Sequence, residues 1–389
     1  MVVANDSSRL KENEAQKISV GAANTELYLP KIKDKNIALV VNQTSMIGNS
    51  HLVDSLLKLN ISIKKIFAPE HGFRGHADAG EKVKDGIDVQ TNLPIVSLYG
   101  KKKKPLPEDL IDIDLIVFDI QDVGARFYTY ISSMSYLMEA CAELDIPLLI
   151  LDRPNPNGHY VDGPVLKKGF ESFVGLHPVP VVHGMTVGEY AQMVNGEGWL
   201  KDGIKCALEI IKCNNYDHTK FYELPIKPSP NLPNMRSIYL YPSICFFEGT
   251  QVSVGRGTDK QFQVLGAPEH PDGNFEFTPV SMPGAKYPKH ENKMCRGYDL
   301  TEIDLSKLKS LPQLNLNYLI DFYQNYKNKN RFFNENLFFD KLAGNDELRK
   351  QLIAGKSENE IRESWQKALN TFKKTRNKYL LYKDFPTNN

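Results

Sequence analysis

Five short apolar runs separated by helical patterns occupy roughly the first 150 residues, and this alternation constrains the fold most strongly. The runs are NIALVVN (36–42), IKKIFAP (63–69), LPIVSLYG (93–100), DLIVFDI (114–120) and IPLLILD (146–152). Runs that are apolar on both faces and are linked by helical crossovers are typical of strands in a covered parallel sheet. The sequence therefore predicts an α/β fold with a Rossmann-like, doubly wound, mostly parallel sheet.

The second half of the chain has a different character, because Pro, Gly and aromatic residues become frequent after residue 227. Before that point, residues 178–200 read as a further strand followed by a helix, with Thr186 and Glu189 spaced as a capping box. We expect a polar lead-in (1–20), a Rossmann-like N-terminal domain (21–235) and a smaller α+β C-terminal domain (236–389). Two late helices are predicted at 335–353 and 357–377.

Composition excludes several classes of function. The chain has 389 residues, and its 48 Lys and Arg against 47 Asp and Glu give no electrostatic case for nucleic acid or an anionic membrane as the main partner. Its five cysteines show no CxxC spacing, so we expect buried thiols rather than disulfides or a zinc site. No apolar stretch is long enough to span a bilayer, so the chain as written is expected to be soluble.

Cofactor motifs are missing from the sequence. No GxGxxG follows the first run, which disfavours a dinucleotide, and there is no Walker A loop, HExxH or GxSxG motif. We therefore expect neither a metal nor another cofactor.

Polar residues follow each of the five apolar runs. Open α/β sheets bind ligands beyond the carboxyl ends of their strands, so these groups should converge on one edge. They are Asn42 to Thr44, Glu70 and His71, Tyr99, Asp119 to Asp122 with Arg126, and Asp152 to Asn155.

The stretch APEHGFRG (68–75) contains the candidate acid. Pro69 ends a strand, and Glu70 then lies where closing domains would exclude water, as a general acid requires. The structural alternative is a helix cap or an ion pair with Arg74.

The stretch DIQDVGARFYTY (119–130) offers Asp119 and Asp122 directly after a strand. Paired aspartates can bind a metal, act as base or nucleophile, or bind sugar hydroxyls, although a helix cap paired with Arg126 would look the same. Tyr128 and its aromatic neighbours suit either sugar stacking or core packing.

Two further stretches carry candidate ligands. LDRPNPNG (151–158) supplies Asp152, Arg153 and Asn155, for which the alternatives are carboxylate capture by the arginine or a turn ion pair. In VVHGMT (181–186) a predicted strand ends in His183, for which the alternatives are a proton shuttle, a hydroxyl ligand or a structural histidine.

Glycines surround Glu248, Arg256 and Asp259 in FFEGTQVSVGRGTDKQFQVLGAP (246–268). These glycines either let backbone amides approach a ligand closely or form turns.

Taken in order, VVNQTS, APEHGFRG, FDIQDVGARFYTY, LDRPNPNG, VVHGMTVGEYA and FFEGTQVSVGRGT resemble the NamZ-type exo-β-N-acetylmuramidases, formerly a domain of unknown function. The resemblance covers the chain from about residue 20 to its end. It implies release of terminal N-acetylmuramic acid from the non-reducing ends of peptidoglycan fragments. It also implies a site in the cleft between two domains and a catalytic role for Glu70.

The resemblance leaves the second catalytic group open among Asp119, Asp122, Glu248 and the 2-acetamido oxygen of the substrate. It also implies an arginine for the lactyl carboxylate. Substrate contacts are expected from Asn42, His71, Arg126, Tyr128, Asp152, Arg153, Asn155, His183, Arg256 and Asp259. Because such substrates lie outside the inner membrane, we expect a periplasmic or secreted protein, with a possible lipid anchor on its precursor.

Two alternatives accompany this interpretation. One is a periplasmic sugar- or muropeptide-binding protein without catalysis. The other is a metal-dependent hydrolase that uses Glu70, His71, His76, Asp78 and the Asp119/Asp122 pair.

Overall fold

A computed structural model describes residues 17–70, 72–73 and 85–386. Its central element is a β-sheet. In this part of the chain the sheet has seven strands, in the order β5-β6-β4-β1-β7-β8-β9. The strands are β1 (Ile37–Val41), β4 (Ile63–Ala68), β5 (Gly86–Ile87), β6 (Pro94–Ser97), β7 (Leu115–Asp119), β8 (Leu148–Leu151) and β9 (Leu208–Ile211). A separate hairpin pairs β2 (Met46–Ile47) with β3 (Ser50–His51).

All neighbouring pairs in the sheet are parallel except β5 with β6. When the six parallel strands are counted along the chain, their spatial order is 3-2-1-4-5-6, which is the doubly wound Rossmann order. The predicted fold class is confirmed. The strand order reverses between β1 and β7, where ligands of such sheets usually bind.

The apolar runs are explained by helices on both faces of the sheet. Every residue of β1 and β7 is buried. Along β1, Ala38 and Val40 pack in the larger core, whereas Ile37, Leu39 and Val41 pack in the smaller core on the opposite face. Since successive side chains of a strand point to opposite faces, a strand covered twice must be apolar throughout.

In the described ranges, helices cover the sheet on both faces. Helices α1 (Thr25–Ile32) and α2 (Leu52–Lys58) contribute to the smaller core. Helices α3 (Tyr130–Glu143) and α4 (Val187–Gly196) contribute to the larger one. Helix α4 begins with the predicted capping box, because Thr186 Oγ1 accepts from Glu189 N at 3.2 Å and Glu189 Oε2 accepts from Thr186 N at 2.9 Å.

The strand predicted within residues 178–200, just before α4, is wrong. Val182 forms only isolated bridges, with Ala125 and Asp162. Val179, Val181 and Val182 are nevertheless buried in the larger core, and this burial produces an apolar pattern without a strand ladder.

The C-terminal half contains a three-stranded antiparallel sheet in the order β10 (Val264–Ala267), β12 (Cys295–Asp299), β11 (Phe275–Phe277). Its helices are α5 (Met235–Ile244), α6 (Leu305–Lys309), α7 (Asn317–Asn325), α8 (Phe338–Ala343), α9 (Glu347–Ile353) and α10 (Glu358–Arg376). This half is therefore α+β, as predicted. The larger core includes residues from both halves, so the division near residue 235 stays a prediction.

The single helix predicted at 335–353 is wrong, since Gly344 separates α8 from α9. Its backbone has φ +77°, and an added Cβ would lie 2.8 Å from both Arg126 Nη2 and Leu166 Cα. The helix predicted at 357–377 is confirmed as α10, which starts with a Ser357–Glu360 capping box.

Two composition-based expectations can also be compared with the structure. All five cysteines are free and buried, as expected. Within the ranges that the structure describes, no helix combines the length and apolarity needed to cross a membrane.

Replacing Gly344 tests whether its contact with Arg126 supports the fold. We expect Gly344→Ala to lower the free energy of unfolding by about 2–4 kcal/mol, because left-handed backbone strain adds to a steric clash. Gly355→Ala is the matched control, since Gly355 has φ +69° but no atom of the described residues lies within 4 Å of its added Cβ. Urea denaturation of both variants measures the difference, and equal losses would contradict the proposed clash.

Candidate active site

A buried ion pair lies at the carboxyl ends of the central strands. Asp119, the last residue of β7, accepts from Arg153 Nε at 2.5 Å (Oδ1) and from Arg153 Nη2 at 2.9 Å (Oδ2). Asp119 is fully buried and Arg153 is almost so. Each charge therefore has its partner within the protein, in the two-point geometry typical of arginine and carboxylate.

The loop after β1 connects to this ion pair. Asn42 Oδ1 accepts from Thr44 N at 2.9 Å and from Thr44 Oγ1 at 2.6 Å, and Thr44 Oγ1 accepts from Gln121 N at 3.0 Å. The Ser45 hydroxyl donates to the backbone carbonyl of Asp119. The switch point between β1 and β7 is thus joined by side-chain hydrogen bonds, and Asn42 is completely buried there.

Asp122 is a buried carboxyl with few partners. Its Oδ2 accepts from Gly124 N at 2.6 Å, and its Oδ1 has no hydrogen-bond partner among the described residues. Burial raises the pKa of Asp122 to about 7, although bonds from backbone N–H groups act in the opposite direction. At neutral pH this carboxyl is therefore partly protonated.

Asp152 is engaged by structural donors. It accepts hydrogen bonds from Thr186 Oγ1 at 2.7 Å, Gly188 N at 2.9 Å and Tyr382 Oη at 2.7 Å. Burial raises its pKa to about 6 despite these donors. The residue links the end of β8 to the start of α4 and to the C-terminal segment.

Asn155 and His183 lie in the same buried region. Asn155 Oδ1 accepts from Asn157 N at 2.8 Å, and its Nδ2 donates to the carbonyl of Met185 at 2.9 Å. His183 Nδ1 accepts from Met185 N at 3.2 Å. Burial lowers the pKa of His183 to about 3, with further lowering from nearby arginines, so the ring is neutral.

Arg126 donates to backbone carbonyls from both halves of the chain. Its Nη1 donates to Pro164 O at 2.8 Å and Val179 O at 2.7 Å, and its Nη2 donates to Leu342 O at 2.7 Å. The residue has no exposed surface, and burial lowers its pKa to about 9. In this position its guanidinium joins the N-terminal half to α8.

Four of the predicted residues line one cavity of about 300 Å³: Glu70, Tyr128, Glu248 and Arg256. Glu70 follows β4, Tyr128 precedes α3, and Glu248 and Arg256 come from the C-terminal half. Aromatic rings form much of the remaining wall, from Tyr99, Phe127, Tyr130, Phe173, Tyr241, Phe262 and Phe338. The cavity thus places two carboxyl groups and a guanidinium within an aromatic enclosure.

Glu70 is half-buried on this wall. Its Oε2 accepts a hydrogen bond from Thr129 Oγ1 at 2.8 Å. Burial, and then the charge of Glu70, raise the pKa of Tyr130. The carboxyl therefore lies beside the first turn of α3 and faces the cavity.

Glu248 and Arg256 form an ion pair on the C-terminal side of the cavity. Arg256 Nε and Nη2 each lie 2.7 Å from Glu248 Oε1, and the guanidinium lies 5.3 Å from the centre of the Phe262 ring. Both side chains keep about a quarter of their surface exposed. This pair is more accessible than the Asp119–Arg153 pair.

Lys289 is a nearby cation that the sequence analysis missed. Its Nζ donates to the carbonyls of Phe247 and Val252 at 3.3 Å, and also to Thr250 O. Burial lowers its pKa to about 8, and the charge of Glu248 partly counteracts this. Lys289 thereby holds the turn that carries Glu248.

The other predicted residues lie elsewhere. Asp119, Asp122, Arg126, Asp152, Arg153, Asn155, His183 and Asn42 surround the strand ends without lining this cavity, and Asp259 is exposed. His71 lies outside the described residues, as do His76 and Asp78 of the metal alternative. Among the residues that are described, no group of three His, Cys, Asp or Glu side chains could hold a metal ion.

A larger cavity of about 540 Å³ lies beside α10 and includes Trp199 and Trp365. None of the predicted site residues that the structure describes lines it. We therefore place the candidate active site in the smaller cavity, because its carboxyl groups can perform acid–base chemistry.

Thr129, Ser229 and Asn231 also line the smaller cavity and were missed by the sequence analysis. Thr129 lies inside the FYTY motif, of which only the aromatic residues were predicted to contact a ligand. Ser229 and Asn231 follow no strand, so the search for polar groups at strand ends could not find them.

Comparison with known proteins identifies the family. A model of the N-terminal part of the exo-β-N-acetylmuramidase NamZ matches residues 37–236, and a model of its C-terminal part matches residues 239–382. The chain belongs to the NamZ family. It is therefore a glycosidase.

Named and solved NamZ relatives are similar over most of their length. The chain is 39% identical over 375 residues to the peptidoglycan β-N-acetylmuramidase NamZ of Bacillus subtilis strain 168, covering 91% of this chain and 89% of that protein. A crystal structure of a DUF1343 family protein from Bacteroides fragilis superposes with a TM-score of 0.88 at 50% identity, covering 95% of this chain and 99% of the other. A second from the same organism gives a TM-score of 0.79 at 29% identity, covering 94% and 99%.

The raised pKa of Asp122 predicts a specific dependence of stability on pH. Since the folded state holds this proton more tightly than the unfolded state, stability should fall as the pH rises from about 4 to 7. Asp122→Asn removes this titration and should be more stable than the parent at pH 7 by about 2–4 kcal/mol, an advantage that disappears near pH 4.

Urea denaturation at several pH values measures this difference. Asp259→Asn, which removes an exposed carboxyl, is the control for the change in net charge. A loss of stability in Asp122→Asn that is the same at pH 4 and pH 7 would contradict the prediction.

Proposed function

We propose that this chain releases terminal N-acetylmuramic acid from the non-reducing ends of peptidoglycan fragments, with Glu70 as the general acid. The observation that carries the proposal is the presence of Glu70 and the Glu248–Arg256 pair in the wall of one cavity. Membership of the NamZ family supports the same activity.

The size of the cavity supports action on a chain end. Its volume of about 300 Å³ lies at the lower limit of the roughly 300–1,000 Å³ typical of small-molecule sites. A space of this size suits one terminal sugar better than a long stretch of glycan. The aromatic wall can pack against the apolar faces of a sugar ring.

Glycoside hydrolysis requires a carboxyl group that protonates the departing oxygen and a second group that stabilises or attacks the sugar cation. Glu70 takes the first role in our proposal, because its carboxyl lines the cavity and is held at Oε2 by Thr129 Oγ1. Among the three carboxyl candidates for the second role, Glu248 is the one that lines the cavity. We assign it this role, since Asp119 and Asp122 are buried outside the cavity wall.

Arg256 is our candidate for the lactyl carboxylate of muramic acid. Arg126 and Arg153 are buried and bonded to protein acceptors, whereas Arg256 lines the cavity. A guanidinium has five N–H donors, so one that binds Glu248 can also bind a carboxylate of the substrate. Because peptidoglycan lies outside the inner membrane, we also propose that the protein works in the periplasm or after secretion.

Glu70→Gln tests the acid role with two substrates. For the disaccharide of N-acetylmuramic acid and N-acetylglucosamine, we expect kcat to fall about 100-fold or more, as for loss of general acid catalysis. For 4-nitrophenyl β-N-acetylmuramide the loss should be much smaller, because nitrophenolate departs without protonation. Chromatography measures the release of sugar from the disaccharide, and absorbance measures the release of nitrophenolate from the glycoside.

Glu248→Gln is the matched control, because loss of the second carboxyl should slow both substrates alike. Equal losses for both substrates in Glu70→Gln would contradict the acid role. Binding without release by the parent would indicate the binding-protein alternative, and loss of turnover with EDTA would indicate the metal-dependent one.

Arg256→Gln tests recognition of the lactyl group. We expect the preference in kcat/KM for the muramide over the matching N-acetylglucosaminide to fall about 10- to 100-fold, since a charged hydrogen bond is lost. Comparing two substrates within one variant cancels any effect on Glu248 that both share. Arg296→Gln, at an exposed ion pair with Glu276, should leave the preference unchanged.

A further inference from the structure

Asn231 is a buried amide that has no hydrogen-bond partner for its side chain. Its residue is 3% exposed, and neither Nδ2 nor Oδ1 has a partner among the residues that the structure describes. Buried polar groups almost always have partners, because leaving one unpaired is costly. Asn231 lines the same cavity as Glu70 and Arg256, so this cost is incurred at the candidate active site.

The segment before Asn231 is held firmly. The carbonyl of Pro228 accepts from Tyr128 Oη at 2.9 Å, Gln43 Nε2 at 3.0 Å and Tyr130 Oη at 3.3 Å. Three side chains that follow β1 and β7 in the sequence therefore fix this carbonyl.

The turn that carries Asn231 is also internally bonded. Asn231 N donates to Ser229 Oγ at 3.2 Å, and Leu232 N donates to Ser229 O at 3.2 Å. The backbone that carries the unpaired amide is therefore fixed before any ligand arrives. Such preorganisation is typical of groups that bind ligands.

The chemistry of the amide selects its partner. Asn231 offers N–H donors and a carbonyl acceptor without charge, which suits a neutral polar group rather than a carboxylate. Leu232, Tyr241 and Phe262 line the same cavity and offer apolar surface for a methyl group. An acetamido group combines a carbonyl oxygen with a methyl group, and so matches both features.

We infer that Asn231 recognises the 2-acetamido group of the substrate, with Nδ2 donating to the acetamido oxygen and Oδ1 accepting from a neighbouring hydroxyl. This inference rests on the proposed function, since it assigns a specificity residue to the same site. It makes Asn231 a determinant of N-acetylated over de-N-acetylated sugars.

Asn231→Leu, which has a similar size and no polar atoms, tests the inference. Calorimetric titration should show binding of N-acetylmuramic acid weakened about 10- to 100-fold, with binding of muramic acid changed less than about threefold. The ligand-free variant should melt at the same temperature as the parent or higher, because an unpaired buried amide has been removed. Asn231→Ala should show the same change in binding if the leucine variant folds poorly.

Asn157→Leu is the matched control for a structural asparagine. Asn157 is equally buried, but its Nδ2 donates to Val123 O at 2.8 Å and Ile238 O at 3.2 Å. That variant should melt at a lower temperature than the parent. If Asn231→Leu instead loses stability like Asn157→Leu while both sugars bind as before, Asn231 is structural and the inference is overturned.

Equal weakening for both sugars would also overturn the assignment to the acetamido group. The titrations do not require turnover, whereas release of N-acetylmuramic acid from the disaccharide by the parent tests the proposed function. A parent that binds N-acetylmuramic acid selectively through Asn231 but releases none would support this inference and overturn the proposed function. A parent that binds neither sugar would overturn the inference.

Discussion

The buried ion pair between Asp119 and Arg153 is the interaction on which the rest of the structure depends. It joins the carboxyl ends of β7 and β8, next to the point where the strand order reverses. Removing one partner would leave an uncompensated charge in the core, a loss that commonly amounts to about 3–5 kcal/mol. The loop after β1 is bonded to the same strand end through Ser45. The usual ligand crevice of a doubly wound sheet is therefore filled with protein groups that support the site.

The candidate site itself is displaced from the switch point toward the C-terminal half. Glu70 and Thr129 come from the sheet domain, whereas Glu248 and Arg256 come from the turns before β10. Tyr128 and Tyr130 hold the segment that leads to Asn231, because their hydroxyls donate to the carbonyl of Pro228, three residues before it. Two layers result. The inner layer of buried polar groups, with the Asp119–Arg153 pair at its centre, fixes the strand ends, and the polar groups of the outer layer face the cavity. The second layer is the one with groups suited to chemistry.

Much of the fold could be predicted because burial on both faces of a sheet leaves a direct record in the sequence, as in β1 and β7. The prediction of a strand within 178–200 was wrong, because burial without strand pairing gives residues 179–182 the apolar pattern that a strand would have. The position of Glu70 just beyond the end of β4 could be predicted, since Pro69 marks a strand end. The sequence could not separate Arg153 from Arg256 as the ligand of the lactyl carboxylate. Arg153 pairs with a buried aspartate and Arg256 with a cavity glutamate, and such pairing depends on contacts between distant residues. Asn231 lies in a proline-rich turn whose position is set by Gln43, Tyr128 and Tyr130, which come from distant parts of the sequence.

The contact between Arg126 and Leu342 has a consequence for how such proteins can evolve. A fully buried guanidinium of the sheet domain has one of its acceptors on α8, more than two hundred residues away in the chain. Gly344 then packs against the same group, where no larger side chain fits. Recombination that exchanged the C-terminal half for an unrelated module would remove this acceptor and leave the buried guanidinium of Arg126 without one of its partners. The two halves are thus expected to be inherited as a unit rather than shuffled separately.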